Sequence, residues 1–307
     1  MEGPRIVVDG LTKRYDSVVA AQDVGFVAEP GRVTGFLGPN GAGKTTTLRA
    51  LLGLLTPTSG DATFDGTSYG RLVRPATVVG AHLEPAFHPG RTARGHLRTL
   101  APLSGVPDSR CDEVLAMVGL AEAADRRVGG YSLGMRQRLG LATALLGDPR
   151  ALVLDEPANG LDPAGITWMR AFVRAFAERG GTVLLSSHLL SEVEQTVDDV
   201  VIIARGTVRH ASSLADLSAL ATREVALRSP DADGLARLVA RWDGSTVAPD
   251  GTATVRGATA AEVGAEAFAA GLEVHHLAEH GENLEQVFLR LTKDPDPEDR
   301  LDEEAAA

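Results

Sequence analysis

A glycine-rich segment at residues 38–46, GPNGAGKTT, constrains the fold of this chain more than any other feature. It follows the apolar run 33–37 and opens a helical pattern, so it lies where a strand passes into a helix. Glycines in such a turn let backbone N–H groups surround a phosphate, and the start of the helix adds its dipole. The lysine places a cation beside the phosphates, and the next threonine offers a hydroxyl to Mg²⁺. The sequence therefore predicts a phosphate-binding loop, formed by Gly38, Asn40, Gly41, Gly43, Lys44, Thr45 and Thr46.

The first 210 residues alternate short apolar runs with longer helical patterns, which is typical of an α/β domain with a largely parallel sheet. Strands are predicted at residues 6–8, 33–37, 152–154, 183–186 and 200–204. Helices are predicted at 44–52 and 163–179, the second with Asp162 as its N-cap and a Gly-Gly pair at its end. Helical patterns dominate from about 85 to 147, which predicts a helical subdomain inserted into a domain at 1–210.

The pattern changes after residue 210. Strands are predicted at 224–228, 245–248 and 252–256, the last two joined by the Pro-Asp-Gly hairpin signal at 249–251. A helix at 235–242, a second helix that opens with the capping-box pair Thr259 and Glu262, a strand at 272–277 and a closing helix complete the pattern. The sequence therefore predicts a small α+β domain at 211–293. The closing helix is expected to bury Leu284, Val287, Phe288 and Leu291.

Charge and composition exclude several classes of protein. The formal charge is −11, and residues 294–307 carry seven acids against Arg300 alone, which leaves −5 on the rest of the chain. Nucleic acid is therefore not an expected ligand, and 294–307 are expected to form a disordered acidic tail. The single cysteine excludes an intramolecular disulfide. No apolar run approaches the roughly 18 residues of a membrane helix, so a membrane role is expected to come through a partner.

A second motif supplies carboxylates. Residues 151–154 are four apolar residues that predict a buried strand, and Asp155 and Glu156 follow directly. The carboxyl end of such a strand is where α/β proteins bind ligands. Asp155 is predicted to hold Mg²⁺, and Glu156 to polarise the attacking water.

A phosphate-binding loop alone leaves kinases, GTPases and many ATPases open. Residues 131–138, YSLGMRQR, lie about twenty residues before the carboxylates and distinguish among these classes of enzyme. Here the chain resembles the nucleotide-binding subunits of ABC transporters, whose LSGGQ signature stands at this spacing. Ser132 and Gly134 agree with that signature, whereas Leu133 and Met135 replace a glycine and a glutamine. Ser132 can also be read simply as a helix N-cap.

The resemblance implies a fold and a set of site residues. The fold is a P-loop NTPase of the ABC-ATPase type with an inserted helical subdomain, followed here by a small C-terminal α+β domain. Ser132 and Gly134 would contact ATP, Tyr15 would stack on adenine, and His188 would contact the γ-phosphate beside catalytic Glu156 and Lys44. Residues 159–162 resemble the D-loop, although Asp162 is also a plausible helix cap.

One position departs from the family pattern. The glutamine that touches Mg²⁺ in the family is missing from residues 79–85, VGAHLEP, and Glu84 is the best replacement. A carboxylate is an acceptable ligand for a hard cation, while the alternative is a surface glutamate. Drug and bacteriocin exporters of the family include forms with an acidic residue here and a YSLGM-like signature.

The chain carries one phosphate-binding loop and one signature. The resemblance therefore implies that a single chain forms half of a working ATP-driven motor. Two copies would bind ATP head to tail, on the cytoplasmic face of the membrane, and act on separately encoded transmembrane permease subunits. Residues 84–105 are the expected docking surface, with Phe87, His88 and Pro89 exposed. Two alternatives stay open: a soluble ABC ATPase for iron–sulfur assembly, and a nucleotide sensor without turnover.

Overall fold

The computed structural model describes residues 2–84, 87–221 and 223–293, and the predicted acidic tail lies outside the described residues. Two compact units make up the described chain. The first runs to Leu214 and also includes residues 291–293, and the second spans Ala215–Arg290. The predicted boundary after residue 210 precedes the structural one, because the last strand of the first unit continues to Ser213.

The first unit contains strands β1 (Ile6–Tyr15), β2 (Val18–Ala28), β3 (Val33–Leu37), β4 (Ser59–Phe64), β5 (Val79–His82), β6 (Ala151–Leu154), β7 (Thr182–Ser187), β8 (Asp199–Ala204) and β9 (Thr207–Ser213). Its helices are α1 (Lys44–Leu51), α2 (Pro75–Val78), α3 (Ala93–Ser104), α4 (Ser109–Met117), α5 (Leu133–Ala144), α6 (Pro163–Glu178) and α7 (Leu190–Val193), with short 3₁₀ turns at Tyr69–Arg71, Ala121–Ala123 and Val128–Gly130. Helix α8 (Leu214–Ala219) follows β9 in the chain.

A six-stranded sheet in the order β5-β6-β7-β3-β8-β9 carries the loops of interest. All neighbouring pairs are parallel except β8 with β9, which run antiparallel. Every residue of β3, β6 and β7 is buried, as expected for parallel strands covered on both faces. The prediction of a largely parallel sheet is confirmed.

A second, three-stranded antiparallel sheet in the order β2-β1-β4 was not predicted. Strand β1 was expected over residues 6–8 only, but it extends to Tyr15 because β2 and β4 pair with it on both sides, Ile6 opposite Ala28 and Phe64. Its apolar face joins the core of the parallel sheet, where the rings of Phe26 and Phe36 stack with centroids 5.0 Å apart.

Helices α3, α4 and α5 form the predicted helical insertion between β5 and β6. Helix α3 is capped by the Thr92 hydroxyl, which accepts the N–H of Gly95. The Tyr131 hydroxyl donates to the carbonyl of Ala123 at 2.6 Å and fastens the chain just before α5. Helix α5 packs against β5, so the insertion is joined to the edge of the sheet.

The second unit is a four-stranded antiparallel sheet in the order β11-β12-β10-β13, with helices on it. Its elements are β10 (Arg223–Arg228), α9 (Ala232–Val239), β11 (Thr246–Val247), β12 (Thr252–Arg256), α10 (Ala260–Ala269) and β13 (His276–Gly281). Helix α11 (Leu284–Thr292) follows β13, and its residues up to Arg290 belong to this unit. Buried residues of β10, β12, α9 and α10 form a core of their own.

Two elements of the second unit differ from their predictions. The strand expected at 272–277 lies at His276–Gly281, because Leu272 packs into the core while Leu277 pairs with Leu227. The helix expected at 235–242 begins at Ala232, because the Asp231 carboxylate caps it by accepting the N–H of Gly234 at 2.8 Å.

The predicted capping box of α10 is confirmed, and it gives a test of the second unit. The Thr259 hydroxyl accepts the Glu262 N–H at 3.2 Å, and the Glu262 carboxylate accepts the Thr259 N–H at 2.8 Å. Thr259→Ala should lower the free energy of unfolding by about 1 kcal/mol, measured by urea denaturation. Thr259→Ser, which keeps the hydroxyl, is the control, and equal loss in both variants would contradict the capping role.

Candidate functional site

The glycine-rich loop joins β3 to α1, and its glycines are required by close backbone contacts at Gly38 and Gly43 and by the backbone conformation at Gly41 and Gly43. Gly41 and Gly43 have φ values of 79° and 104°, in the left-handed region. A Cβ at Gly43 would lie 2.3 Å from the carbonyl oxygen of Ala20, and one at Gly38 would lie 2.2 Å from that of Ile203. The loop is therefore held against β2 and the end of β8, with no room for side chains at these positions.

All of the predicted phosphate residues except Gly38 line one small pocket at the start of α1. The pocket encloses about 220 Å³, and its lining comprises Ala20, Asn40, Gly41, Gly43, Lys44, Thr45, Thr46 and Glu156. Lys44 is 5% exposed, and its ammonium donates to the carbonyl of Gly38 at 2.6 Å. Its Nζ also lies 3.4 Å from Glu156 Oε1, so the loop cation and the predicted catalytic carboxylate face each other.

Asp155 connects the end of β6 to the loop. The Thr45 hydroxyl donates to Asp155 Oδ2 at 2.7 Å, and the Ser186 hydroxyl donates to Oδ1. A threonine hydroxyl and a carboxylate side by side are oxygen ligands of the kind that Mg²⁺ prefers, so the residues present fit that ion. Ser186 was not predicted as a site residue from the sequence, although it lies two residues before His188.

Glu156 and His188 form a second pair at the same edge. His188 Nδ1 lies 2.7 Å from Glu156 Oε2, and the backbone N–H of Glu156 donates to the Ser186 hydroxyl at 2.9 Å. Glu156 has φ 49°, a left-handed conformation that is uncommon for a residue with a side chain. The hydrogen bonds on both its backbone and its side chain hold this conformation, and they aim the carboxylate at Lys44.

Glu192 was not predicted but belongs to this cluster. Its carboxylate accepts the hydroxyl of Ser187 at 3.0 Å. Ligand atoms of Glu156, His188 and Glu192 all lie within 4.8 Å of one another, which is close enough to hold a cation. The sequence signal was weak, because Glu192 lies four residues after His188, on the short helix α7 that begins only at Leu190.

Glu84 and Tyr15 lie outside the small pocket. The Glu84 side chain is 87% exposed and lies 3.8 Å from Arg49 on α1. Tyr15 is 48% exposed at the end of β1, with the Lys13 ammonium 5.0 Å from its ring centroid. The metal role of Glu84 and the adenine role of Tyr15 therefore stay predictions.

Ser132 and Gly134 lie on a different surface from the loop. Ser132 caps α5 by accepting the N–H of Met135 at 3.2 Å. Both residues line an open groove of about 870 Å³ together with Gly160, Leu161 and Asp162. Within the described residues, this groove shares no lining residue with the pocket of the glycine-rich loop.

Leu133, the main departure in the signature, packs over Gly160. A Cβ at Gly160 would lie 2.0 Å from Leu133 Cδ2, and φ at Gly160 is 74°. The larger side chain at 133 is thus accommodated by the lack of a side chain at 160. Asp162 caps α6 as predicted, accepting the N–H of Gly165 at 2.8 Å.

The expected exposure of the docking surface is only partly confirmed. His88 and Pro89 are exposed, but the prediction for Phe87 is wrong. Its ring is half-buried because it packs edge-on against His96 of α3, with centroids 4.9 Å apart.

Two family profiles match different parts of the chain. A sequence profile of the ABC transporter family matches residues 21–159, and a profile of a domain of unknown function, DUF8746, matches 223–285. The chain is 36% identical over 298 residues to the ABC transporter ATP-binding protein YdbJ of Bacillus subtilis, covering 95% of this chain and 96% of YdbJ.

Two further relatives are named bacitracin transport ATP-binding protein BcrA. That of Bacillus licheniformis is 46% identical over 200 residues, covering 64% of this chain and 65% of its own. That of Enterococcus faecalis is 33% identical over 294 residues, covering 93% and 96%. A solved structure titled "Structure of ATP binding subunit of ABC transporter" superposes with a TM-score of 0.63 at 27% identity, covering 70% of this chain and 92% of that one.

The fold and the site define a P-loop ATPase of the ABC type, and the chain belongs to the ABC transporter ATP-binding proteins. It is an ATP-hydrolysing subunit of that family. Among the residues that the structure describes, no helix is both long enough and apolar enough to span a bilayer.

Ser186 gives the first test of the site. Ser186→Ala removes the donor to Asp155 and the acceptor for the Glu156 N–H, leaving polar groups without their partner. The loss should cost about 1–3 kcal/mol of unfolding free energy, and it should weaken Mg²⁺-dependent ATP hydrolysis, measured by phosphate release across a Mg²⁺ titration. Ser212→Ala, on the antiparallel edge strand β9, is the control. Wild-type stability and turnover in Ser186→Ala would contradict this role.

Proposed function

We propose that this chain is the motor of a bacterial ABC exporter of drug-like or peptide compounds. It would act on the cytoplasmic face of the membrane, with separately encoded transmembrane permease subunits. The likeness to two bacitracin transport proteins supports the cargo class, since one of them aligns over nearly the whole chain. The variant signature and the acidic Glu84 fit the exporter type that the sequence resembles.

The observation that carries the proposal is the separation of two half-sites. The pocket of Lys44 and Glu156 and the groove of Ser132 and Gly134 open on different parts of the first unit. In a single chain, therefore, no signature residue faces the phosphate pocket, and no phosphate pocket faces the signature groove. Two copies arranged head to tail would complete two equal ATP sites. The groove also contains the D-loop residues, which would cross the same interface.

Within each site, the proposed roles follow from the contacts of the chain. Lys44 and the loop N–H groups would bind the β- and γ-phosphates of ATP, with Gly38, Asn40, Gly41, Gly43 and Thr46 forming the loop. Glu156 would accept a proton from the attacking water. His188 would orient that carboxylate and contact the γ-phosphate, and the 2.7 Å hydrogen bond between them supports a joint role.

Mg²⁺ would be held by Thr45 and Asp155, with Glu84 as a further proposed ligand. When bound, it would neutralise charge that develops on the transferred phosphoryl group. Ser186 keeps Asp155 in place for that task. Tyr15 would stack on the adenine, and Ser132 and Gly134 of the second copy would contact the γ-phosphate.

The soluble assembly alternative is not favoured. The relatives are named as transport or ABC transporter ATP-binding proteins, and the two that align along the whole chain include the region of the second unit. Co-purification with a soluble partner in place of a membrane protein would be the finding that restores it.

Glu156→Gln tests the catalytic assignment. The amide cannot accept the proton from water, so kcat for ATP hydrolysis should fall about 10²-fold or more. ATP binding should persist, and ATP should now trap a dimer detectable by size-exclusion chromatography with light scattering. Glu178→Gln, at the exposed end of α6, is the matched control and should hydrolyse ATP normally. Unchanged turnover in Glu156→Gln would remove the role assigned to this carboxylate.

Assembly with a permease tests the motor. The chain is co-expressed with the membrane protein encoded beside its gene, the complex is reconstituted in lipid, and ATP hydrolysis is compared with that of the free chain. We expect stimulation on assembly and a further rise with bacitracin as the probe cargo. The Glu156→Gln complex gives the background. Failure to associate, with undiminished hydrolysis by the free chain, would favour the soluble-assembly function.

A further inference from the structure

A buried histidine lies between the sheet and the signature helix. His82 is the last residue of β5 and is 4% exposed, and its Nε2–H donates to Gln137 Oε1 on α5 at 2.6 Å. Gln137 is itself only 7% exposed. Burial lowers the pKa of His82, which keeps the imidazole neutral. Neither His82 nor Gln137 has a role in the proposed binding of ATP or Mg²⁺.

The imidazole fits because α5 has a glycine where the ring approaches the helix. A Cβ at Gly140 would lie 2.1 Å from His82 Cε1 and 2.4 Å from Nδ1. Such distances exclude any side chain at 140 without displacement of the ring. His82, Gln137 and Gly140 therefore form one packed joint between β5 and α5.

The backbone of His82 contacts the other half of the site. Its carbonyl oxygen accepts the N–H of Asp155 at 2.8 Å, one residue beyond the ladder in which His82 pairs with Leu154. Asp155 in turn accepts the hydroxyl of Thr45. One residue thus holds the signature helix through its side chain and the proposed metal carboxylate through its main chain.

The N-terminal end of α5 carries the signature residues. The helix begins at Leu133 with Ser132 as its N-cap, and Gln137 lies within its second turn. Because a helix of this length is rigid, fixing Gln137 against β5 also sets where Ser132 and Gly134 stand relative to the carboxylate edge. In a head-to-tail dimer that distance decides whether both ATP sites can close together.

We propose that His82 is a positioning residue, which through Gln137 holds the signature helix at a fixed distance from Asp155 and thereby sets the geometry in which the two ATP sites close. The proposal rests on the proposed function, since it requires a signature that reaches the second copy's nucleotide. It assigns no contact of His82 with ATP or Mg²⁺.

The test compares two variants of the joint. His82→Phe keeps a ring but leaves Gln137 unpaired, whereas His82→Phe with Gln137→Leu removes both polar groups and should recover thermal stability. If His82 only stabilises the fold, kcat recovers with the Tm. If it positions α5, kcat stays at least about tenfold below wild type in both variants, because small misplacements of reacting groups are costly. ADP affinity, which depends on the loop of one chain, should stay within about twofold of wild type.

Thr143 gives the matched control. It lies on α5 itself, where its hydroxyl donates to the Leu139 carbonyl at 3.0 Å, and it has no hydrogen bond to the carboxylate edge among the described residues. Thr143→Val should therefore leave kcat within about twofold of wild type.

Two results would overturn the proposal: wild-type kcat in the stable double variant, or an equal loss in Thr143→Val. Absence of ATP hydrolysis in the wild-type chain, or of ATP-trapped dimers in Glu156→Gln, would instead contradict the proposed function, so the two failures are distinguishable.

Discussion

The hydrogen bond between Thr45 and Asp155 is the contact on which the rest of the site depends. In the sheet order β6-β7-β3, the strand that ends at the carboxylates and the strand that leads to the phosphate loop are separated by β7. Their ends meet only because β7 places Ser186 between them, where it donates to Asp155 and accepts the N–H of Glu156. The same strand then delivers His188 to the Glu156 carboxylate. Three strands that are distant in sequence thereby produce one charged pocket.

The parts of this arrangement that are encoded locally could be predicted from the sequence. A run of buried residues followed by a glycine-rich turn predicts β3 and α1, because backbone geometry and helix capping act within a few residues. The capping box of α10 and the N-cap at Asp162 were predictable for the same reason. The carboxylates followed from a short apolar strand at 151–154. Each of these signals needs no knowledge of which strands are neighbours.

What escaped prediction depends on pairing between distant segments. Strand β1 is amphipathic and half-buried over much of its length, and its full extent follows only from β2 and β4 on either side. Ser186 is an ordinary serine in a strand until β6 is placed beside it. The shift of the strand expected at 272–277 has the same origin. Leu272 packs into the core with the helices, and pairing with β10 begins only at His276.

Two glycines outside the phosphate loop each make room for a bulky side chain from a distant part of the sequence. Leu133 enlarges a position where the signature has glycine, yet it packs over Gly160, which has no side chain to resist it. His82 brings a bulky imidazole against α5, and Gly140 leaves the space for it. In both cases a bulky side chain packs where the facing residue is a glycine, 27 and 58 residues away in the sequence respectively. The leucine at position 133 is therefore accommodated without crowding the signature groove, and a partial match to the signature is compatible with the proposed half-site.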